Sequence, residues 1–521
     1  MTTIKPAIAL AATAATIATI AATGLAAAPA ATTAPANGPQ KPNVLVIMVD
    51  QLSAWALGCY GGNEIGTPNI DSLAKEGSLV TGFIPTVPLC SPSRASFMTG
   101  LYPGDNDVYT NNIQIRQNVS TWAQVLRDAG YQTGYAGKWH LDGSPERPGW
   151  VLHGKDMGWT DHRYMYCFGH YKTIDKRPGD PYPTMTPAIS PTPEHYPTDW
   201  FTARAIEFMD KNKNGNFCYM LSIPDPHVPY SVRAPYNTMF PPSTMKIPST
   251  LAAKPTSDHY FYNVSRLGLA SDDEDEGGGG GKAAKKGKGK DKGKTSKPKN
   301  SYEQVAKSLP KNKSQYFGMI KCIDENVGRI IKYLKANNLY DNTIIVFTSD
   351  HGDLMGDHAL MGKGYPFDGC ARVPFIVRYP AKIKAGTVCD NVTSSVDFYP
   401  ALLSLVGIEQ KVKVDGKNMA VLLTGAPEAK TWEDKAFFSH DSRAYPWIGV
   451  VTKDYKLVYG KNDVRQKAFL IDRKKDPTES TNQIDNPALA GVVKTLGKDV
   501  LGYSKNYYQP FYPWLQKRID N

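Results

Sequence analysis

The stretch Asn43-Val44-Leu45-Val46-Ile47-Met48-Val49-Asp50-Gln51 sets a continuous apolar run, Val44 to Val49, directly before a carboxylate and an amide. The run is too short for a buried helix, and a half-exposed strand would alternate apolar with polar side chains. It fits a strand covered on both faces, the condition of a parallel sheet sandwiched between helices. Further candidate strands run from Tyr131 to Ala136, Asn216 to Ile223, Thr343 to Thr348 and Val373 to Arg378, with helix-like segments between them. In residues 314 to 336, Tyr316, Met319, Ile320, Ile323, Val327, Ile330, Ile331 and Leu334 recur at three- and four-residue spacings, the stripe of a helix packed on a core. The expected fold class is α/β, a large mostly parallel central sheet flanked by helices.

Every candidate strand but the last leads into side chains suited to metal or anion chemistry. Asp50 ends the first, Lys138 and His140 follow the second, Asp225 and His227 the third, and Asp350 and His351 the fourth. Open α/β sheets bind ligands beyond the carboxyl ends of their strands, so these residues are expected to meet at one edge. A single strand-end aspartate commonly does no more than cap a loop. Two carboxylates at one edge invite a hard cation.

Cys90-Ser91-Pro92-Ser93-Arg94 adds a nucleophile, a turn-forming proline and an anion-binding guanidinium. Ala95-Ser96-Phe97-Met98-Thr99-Gly100 then suits a short helix stopped by glycine, which puts Cys90 in an N-terminal turn whose free N–H groups favour negative charge. An isolated cysteine is more often a structural thiol. Here the Cys-x-Pro-Ser-Arg pattern and its continuation resemble the signature of the sulfatase family, and Gly130-Tyr131-Gln132-Thr133-Gly134-Tyr135-Ala136-Gly137-Lys138 resembles that family's second signature. The likeness covers residues 43 to 485 and implies an alkaline phosphatase-like fold.

The resemblance implies that a formylglycine-generating maturation enzyme oxidises Cys90 to formylglycine, whose hydrated aldehyde replaces the thiol as nucleophile. One hydroxyl, its pKa lowered on a single divalent cation, attacks the ester sulfur, and the other allows collapse back to the aldehyde with release of sulfate. The family pattern assigns that ion to Asp50, Gln51, Cys90, Asp350 and His351. The commonest pattern has aspartate at the place of Gln51, and many relatives carry asparagine at the place of His351. An amide oxygen and an imidazole soften the site and lower its negative charge, so Ca2+ is the expected ion with Mn2+ and Mg2+ as alternatives.

By the same resemblance Arg94, Lys138 and Lys363, the last in Met361-Gly362-Lys363-Gly364, surround the sulfuryl group with fixed positive charge. His140 is expected to deprotonate the hydrate, and His227 to contact the sulfate and protonate the leaving oxygen together with Lys363. His153, His162, His170, His195 and His259 receive no role.

The 521 residues, 41% hydrophobic and 11% aromatic, suffice for one large α/β domain and a smaller partner. After residue 430 shorter, more polar strands, Phe437 to Ser439, Ile448 to Thr452, Tyr455 to Tyr459 and Ala468 to Ile471, fit an antiparallel sheet in a C-terminal α+β subdomain. Tyr503, Tyr507, Tyr508, Phe511, Tyr512 and Trp514 are expected to pack the tail against it. Residues 1–30 read as a signal peptide, rich in Ala and Thr after Lys5 and followed by small-residue cleavage sites. Residues 31–42 read as a linker, 43–428 as the catalytic domain and 429–521 as the subdomain. The protein is thus expected to be exported, periplasmic or secreted, with no membrane span after signal removal.

The formal charge of +11 is unevenly spread, and an acidic run at 272–276, five glycines and nine lysines form a low-complexity insert at 271–300. Such a segment is expected to be disordered and solvated. Its lysines have no interleaved aromatics, which argues against a nucleic-acid partner. The seven cysteines are odd in number and lack Cys-x-x-Cys pairs, so no zinc site is expected and disulfides stay open.

The expected reaction is hydrolysis of sulfate esters on a sulfated small molecule or saccharide, releasing inorganic sulfate. Related enzymes with the same Cys-x-Pro-x-Arg nucleophile and an Asp-Gln, Asp-His metal set cleave phosphonate monoesters or phosphodiesters, which is the second reading. A third is a non-enzymatic polyanion-binding surface protein, for which deleting residues 272 to 300 would abolish function and Cys90→Ala would not.

Overall fold

Strands β1 (Asn43–Val49), β2 (Ser78–Ile84), β3 (Gln132–Lys138), β4 (Asp161–Tyr166), β7 (Phe217–Ile223), β8 (Thr343–Ser349), β9 (Phe375–Arg378) and β10 (Thr387–Ser394) build one eight-stranded sheet. In this computed structural model, which describes residues 41–143, 149–151, 157–175, 183–190, 192–253, 302–441, 445–461, 468–508 and 511–520, their order is β10-β2-β9-β8-β1-β7-β3-β4. The segments read as signal peptide and low-complexity insert lie outside the described residues. Every strand pairing is parallel except those made by β9. A two-stranded ribbon, β5 (Thr173–Asp175) with β6 (Thr184–Thr186), lies apart from it.

Alternation along the central strands divides the interior in two. Val44, Val46 and Met48 of β1, with Ile344 and Val346 of β8, face a core that includes Phe97, Trp122 and Phe398. Leu45, Ile47 and Val49, with Ile345 and Phe347, face a second core filled by the helix Tyr302–Ala336. That helix starts twelve residues before the expected stripe, and all eight stripe residues are buried. The expected strands are all present, with ends displaced by at most two residues.

The expected C-terminal antiparallel sheet comprises β11 (Lys435–His440), β12 (Trp447–Thr452), β13 (Tyr455–Gly460) and β14 (Phe469–Asp472), paired in that order. Phe438, Trp447, Val458 and Phe469 pack with Leu360, Tyr365 and Phe367, while Ile448, Val450, Leu457 and Leu470 lie under the helix Ala490–Tyr507 and the tail. Tyr503, Tyr508 and Phe511 are buried there, so these aromatics are packing residues. All seven cysteines are free thiols. Among the described residues no helix is long and apolar enough to cross a membrane.

Candidate active site

Parallel register brings the strand ends side by side. Val49 pairs with Ser349 of β8 and with Ile223 of β7, and Gly137 of β3 pairs with Ser222. Asp350, Asp50, the Asp225–His227 turn and the Lys138–His140 segment therefore leave four adjacent strands at the same edge, as the sequence implied. The antiparallel β9 enters from that edge and leaves at the other, which is why no site residue follows it.

Into this edge projects the helix Cys90–Thr99, buried along its whole length. Pro92 stands in the first turn, where its missing N–H costs no helical bond. Gly100 closes the helix at φ +68°, donating to Ser96 O at 2.8 Å. Cys90 is consequently a first-turn residue, and its thiol is buried.

Ligand atoms of Asp50, Cys90, Asp350 and His351 all lie within 4.8 Å of one another and are buried. His351 Nδ1 is 3.0 Å from Gly352 O, an acceptor, so Nδ1 carries the hydrogen and Nε2 presents its lone pair. Nε2 is 3.1 Å from Cys90 Sγ, 3.6 Å from Asp50 Oδ1 and 3.7 Å from Asp350 Oδ1. Burial lowers the His351 pKa, against the pull of Asp350, so the ring is held in its neutral, ligating form.

Gln51 completes the set expected from the sequence. Its backbone is left-handed at φ +69°, an unusual conformation for a non-glycine residue. Its N–H donates to Asp350 Oδ1 at 3.1 Å, its carbonyl accepts from Tyr316 Oη at 2.9 Å, and its Nε2 donates to Asp353 Oδ2 at 2.6 Å. The remaining Oε1 is buried with no hydrogen-bond partner among the described residues. A cation would satisfy that oxygen, so two carboxylates, an imidazole and an amide oxygen form a donor set that fits a divalent ion.

Cations close over the cluster. Arg94 Nε donates to Asp350 Oδ2 at 2.9 Å, its Nη2 pairs with Asp50 Oδ2 at 3.1 Å, and its Nη1 donates to Lys138 O and Ser222 Oγ. Lys138 Nζ is 2.9 Å from Asp50 Oδ2 and 3.5 Å from Cys90 Sγ, and Lys363 Nζ is 3.0 Å from that sulfur. Burial pushes the Asp50 pKa up, but the Lys138 ammonium and the Arg94 guanidinium paired with it outweigh that and hold the carboxyl well below its ordinary range. Three cations face two carboxylates, which leaves room for an anion.

The two histidines are held differently. His227 Nδ1 lies 2.6 Å from Val228 O and its Nε2 2.6 Å from Lys363 Nζ. An ammonium only donates and a carbonyl only accepts, so the imidazole is neutral and the proton between it and Lys363 resides on the lysine. Burial and the neighbouring Lys363 ammonium lower the His227 pKa, in keeping with that tautomer. His140 adopts φ +57°, with Nε2 3.1 Å from Asn112 Oδ1, and its carbonyl accepts from Ser91 Oγ at 2.7 Å.

Sequence reading missed Asp353, His170 and Lys172. Asp353 is fully buried and accepts from Gln51 Nε2, Tyr230 Oη, Met355 N and Gly362 N, tying the amide at 51 to the segment that bears Lys363. Its only sequence signal was membership of Ser-Asp-His-Gly-Asp. Lys172 pairs with Asp225 at 2.6 Å, and His170 stacks on His227. Neither had a signal, because both are delivered by the segment beyond the edge strand β4.

Comparison with known proteins assigns the family. The family model described as "Sulfatase" matches residues 42–408, and that described as "N-sulphoglucosamine sulphohydrolase, C-terminal" matches 356–506. The chain belongs to the sulfatase family and is a sulfuric ester hydrolase. It is 29% identical over 481 residues to the N-acetylglucosamine-6-O-sulfatase of Bacteroides thetaiotaomicron, covering 85% of this chain and 82% of that one. A solved structure in complex with its substrate D-glucosamine-2-N,6-O-disulfate superposes with a TM-score of 0.69 at 26% identity, over 90% of this chain and 99% of that one. The phosphonate monoester hydrolase of Agrobacterium radiobacter superposes equally well, at 0.69 and 25% identity, over 90% and 96%.

Proposed function

We propose that this sulfatase removes sulfate from carbohydrate esters, using residue 90 as a formylglycine nucleophile and one divalent ion. The observation that carries the reading is the buried Asp50–Cys90–Asp350–His351 cluster enclosed by Arg94, Lys138 and Lys363. Oxidation of Cys90 by a maturation enzyme would supply a hydrated aldehyde able to attack sulfur with loss of the alcohol and then expel sulfate by collapsing to the aldehyde, which one water rehydrates. Bound by Asp50, Gln51, Asp350 and His351, Ca2+ (or Mn2+ or Mg2+) would lower the pKa of the attacking hydroxyl and offset charge on the sulfuryl oxygens.

The chain's own groups do the rest. Arg94 locks both carboxylates in place, with Asp50 also held by Lys138. Lys138 and Lys363 hold the sulfuryl group against residue 90, and Lys363 carries the proton for the leaving oxygen, with His227 accepting from its Nζ and relaying the replacement. His140 serves as base toward residue 90. Residues 43–428 act as the catalytic domain and 429–521 as the subdomain that supports it. The segment 1–30 directs export to the periplasm or medium.

Carbohydrate as the alcohol is supported by the likeness to an N-acetylglucosamine-6-O-sulfatase and to a structure holding a glucosamine disulfate. Release of inorganic sulfate from a panel of defined sulfated sugars tests it. Selective desulfation of sugars is the expected result; turnover confined to aryl phosphonates and phosphodiesters would instead favour the second reading, to which the Gln51 and His351 donors lend some weight. Full activity on small sulfate esters after deletion of residues 272–300, with none in Cys90→Ala, would dispose of the polyanion-binding reading.

A further inference from the structure

His170 follows Gly169, which turns the chain at φ +107° where a Cβ would come within 3.0 Å of the Tyr171 ring. Two residues on, Lys172 is buried in an ion pair with Asp225, which itself lies two residues before His227. One buried pair thus tethers both histidine-bearing segments. Between these anchors the His170 side chain is buried, with Nε2 3.1 Å from Lys138 Nζ. Its ring lies flat on His227, centroids 3.5 Å apart and planes 2° from parallel.

These contacts close a circuit over the nucleophile. Cys90 Sγ meets Lys138 Nζ at 3.5 Å, Lys138 meets His170, His170 stacks on His227, His227 meets Lys363 Nζ at 2.6 Å, and Lys363 returns to Cys90 Sγ at 3.0 Å. A lysine ammonium only donates, so His170 Nε2 accepts and its ring is neutral. A neutral ring can lie on a second neutral ring, whereas two imidazolium rings at this spacing would repel strongly.

We propose that His170 is a positioning residue of the sulfate site: it directs the Lys138 ammonium by accepting its hydrogen bond and fixes the His227 ring by stacking. The inference rests on the sulfate-ester reading above. Lys138 sits on a flexible four-carbon stem, so each fixed acceptor around its head narrows the positions the ammonium can take. With Asp50 and His170 holding it from two sides, the ammonium is aimed at residue 90. The stack does the same for His227, whose Nε2 orients the proton-bearing Nζ of Lys363.

Three variants separate the two actions. His170→Phe keeps a flat ring for the stack and loses the acceptor; His170→Gln keeps an acceptor and loses the ring face; His170→Ala loses both. Each is assayed for kcat and KM on 4-nitrophenyl sulfate and on a sugar sulfate with a poor leaving group, alongside a thermal melt. His170→Phe is expected to lower kcat by the same factor on both esters, roughly 10- to 100-fold for a displaced active-site group. His170→Gln is expected to lose more on the sugar ester, where leaving-oxygen protonation matters most, and His170→Ala to show both losses. Wild-type kcat in His170→Ala would overturn the inference, and so would identical leaving-group dependence in the Phe and Gln variants. If His170→Ala does not fold, the other two decide. Were the wild-type protein to release no sulfate from either ester, the sulfate reading itself would be at fault, not the role of His170.

Discussion

Asp353→Asn keeps the shape of the side chain and exchanges one acceptor oxygen for an NH2 group. Oδ1 of Asp353 accepts from Met355 N at 2.8 Å and Gly362 N at 2.9 Å, and Oδ2 accepts from Gln51 Nε2 at 2.6 Å and Tyr230 Oη at 2.5 Å. Backbone N–H groups cannot turn round, so the remaining oxygen of asparagine must keep facing them. The new NH2 then faces two former donors. A tyrosine hydroxyl can rotate and accept, but Gln51 can accept only by flipping its amide, which replaces its unpartnered Oε1 by an NH2. The protein would lose an oxygen donor from the metal set without losing the residue. Disturbing such a supporting contact costs roughly 10- to 100-fold in metal affinity, or about 1.4 to 2.7 kcal/mol. Loss of charge-assisted bonds to the buried carboxylate should cost a further ~1–3 kcal/mol of folding stability. Calorimetric titration of Ca2+ and of Mn2+ into metal-free protein measures the first quantity, and denaturant unfolding the second. Gln51→Ala should weaken binding to a similar degree, and the double variant should lose no more than either single variant. Unchanged metal affinity in Asp353→Asn, or fully additive losses, would refute the reasoning.

Three other outcomes are expected. Lys456 is fully buried between Asp368, at 2.6 Å, and Glu479, and it donates to Pro366 O at 2.8 Å, so Lys456→Met should destabilise by roughly 3–5 kcal/mol; a loss under about 1 kcal/mol by denaturant unfolding would contradict this. Burial pushes Asp397 up to about 6 from an ordinary 3.8, so the folded protein retains a proton the unfolded chain has released, and this site's contribution to stability falls as pH rises from 3.8 through 6. Asp397→Asn should remove that fall, gaining up to about 3 kcal/mol on wild type between pH 4 and pH 7, and parallel curves would count against it. His227→Ala should lose more kcat on poor leaving groups than on activated aryl esters, and equal losses would argue against a part in leaving-group protonation.

How much of this was legible in sequence follows from burial. Strands β1, β7 and β8 are covered on both faces, so their apolar runs announce them almost to the residue. The strands β4 and β10 lie at the two edges of the sheet and carry polar residues such as Asp161, His162, Arg163, Asp390 and Asn391, which hide their strand character. β2 was obscured by Thr81 and Gly82 in its middle. The first third of the Tyr302–Ala336 helix was obscured by lysines and Pro310.

The residues of the proposed metal site were legible because each follows a strand or opens a helix with a recognisable motif. Their supporting groups were not. Asp353 reaches Gln51 across 302 positions of chain, and the His170–His227 stack joins segments separated by the β5–β6 ribbon, a helix and strand β7. No local pattern encodes such contacts, since they arise only when parallel strands bring distant loops to one edge.

The central claim is that residue 90 works as an aldehyde and not as a thiol. Intact-peptide mass spectrometry of the active protein tests it directly, read beside sulfate release from the same preparations. A peptide that has exchanged the sulfur and two hydrogens of Cys90 for one oxygen, with activity proportional to the converted fraction, is the predicted result. Full activity in protein whose Cys90 thiol is intact would contradict the account.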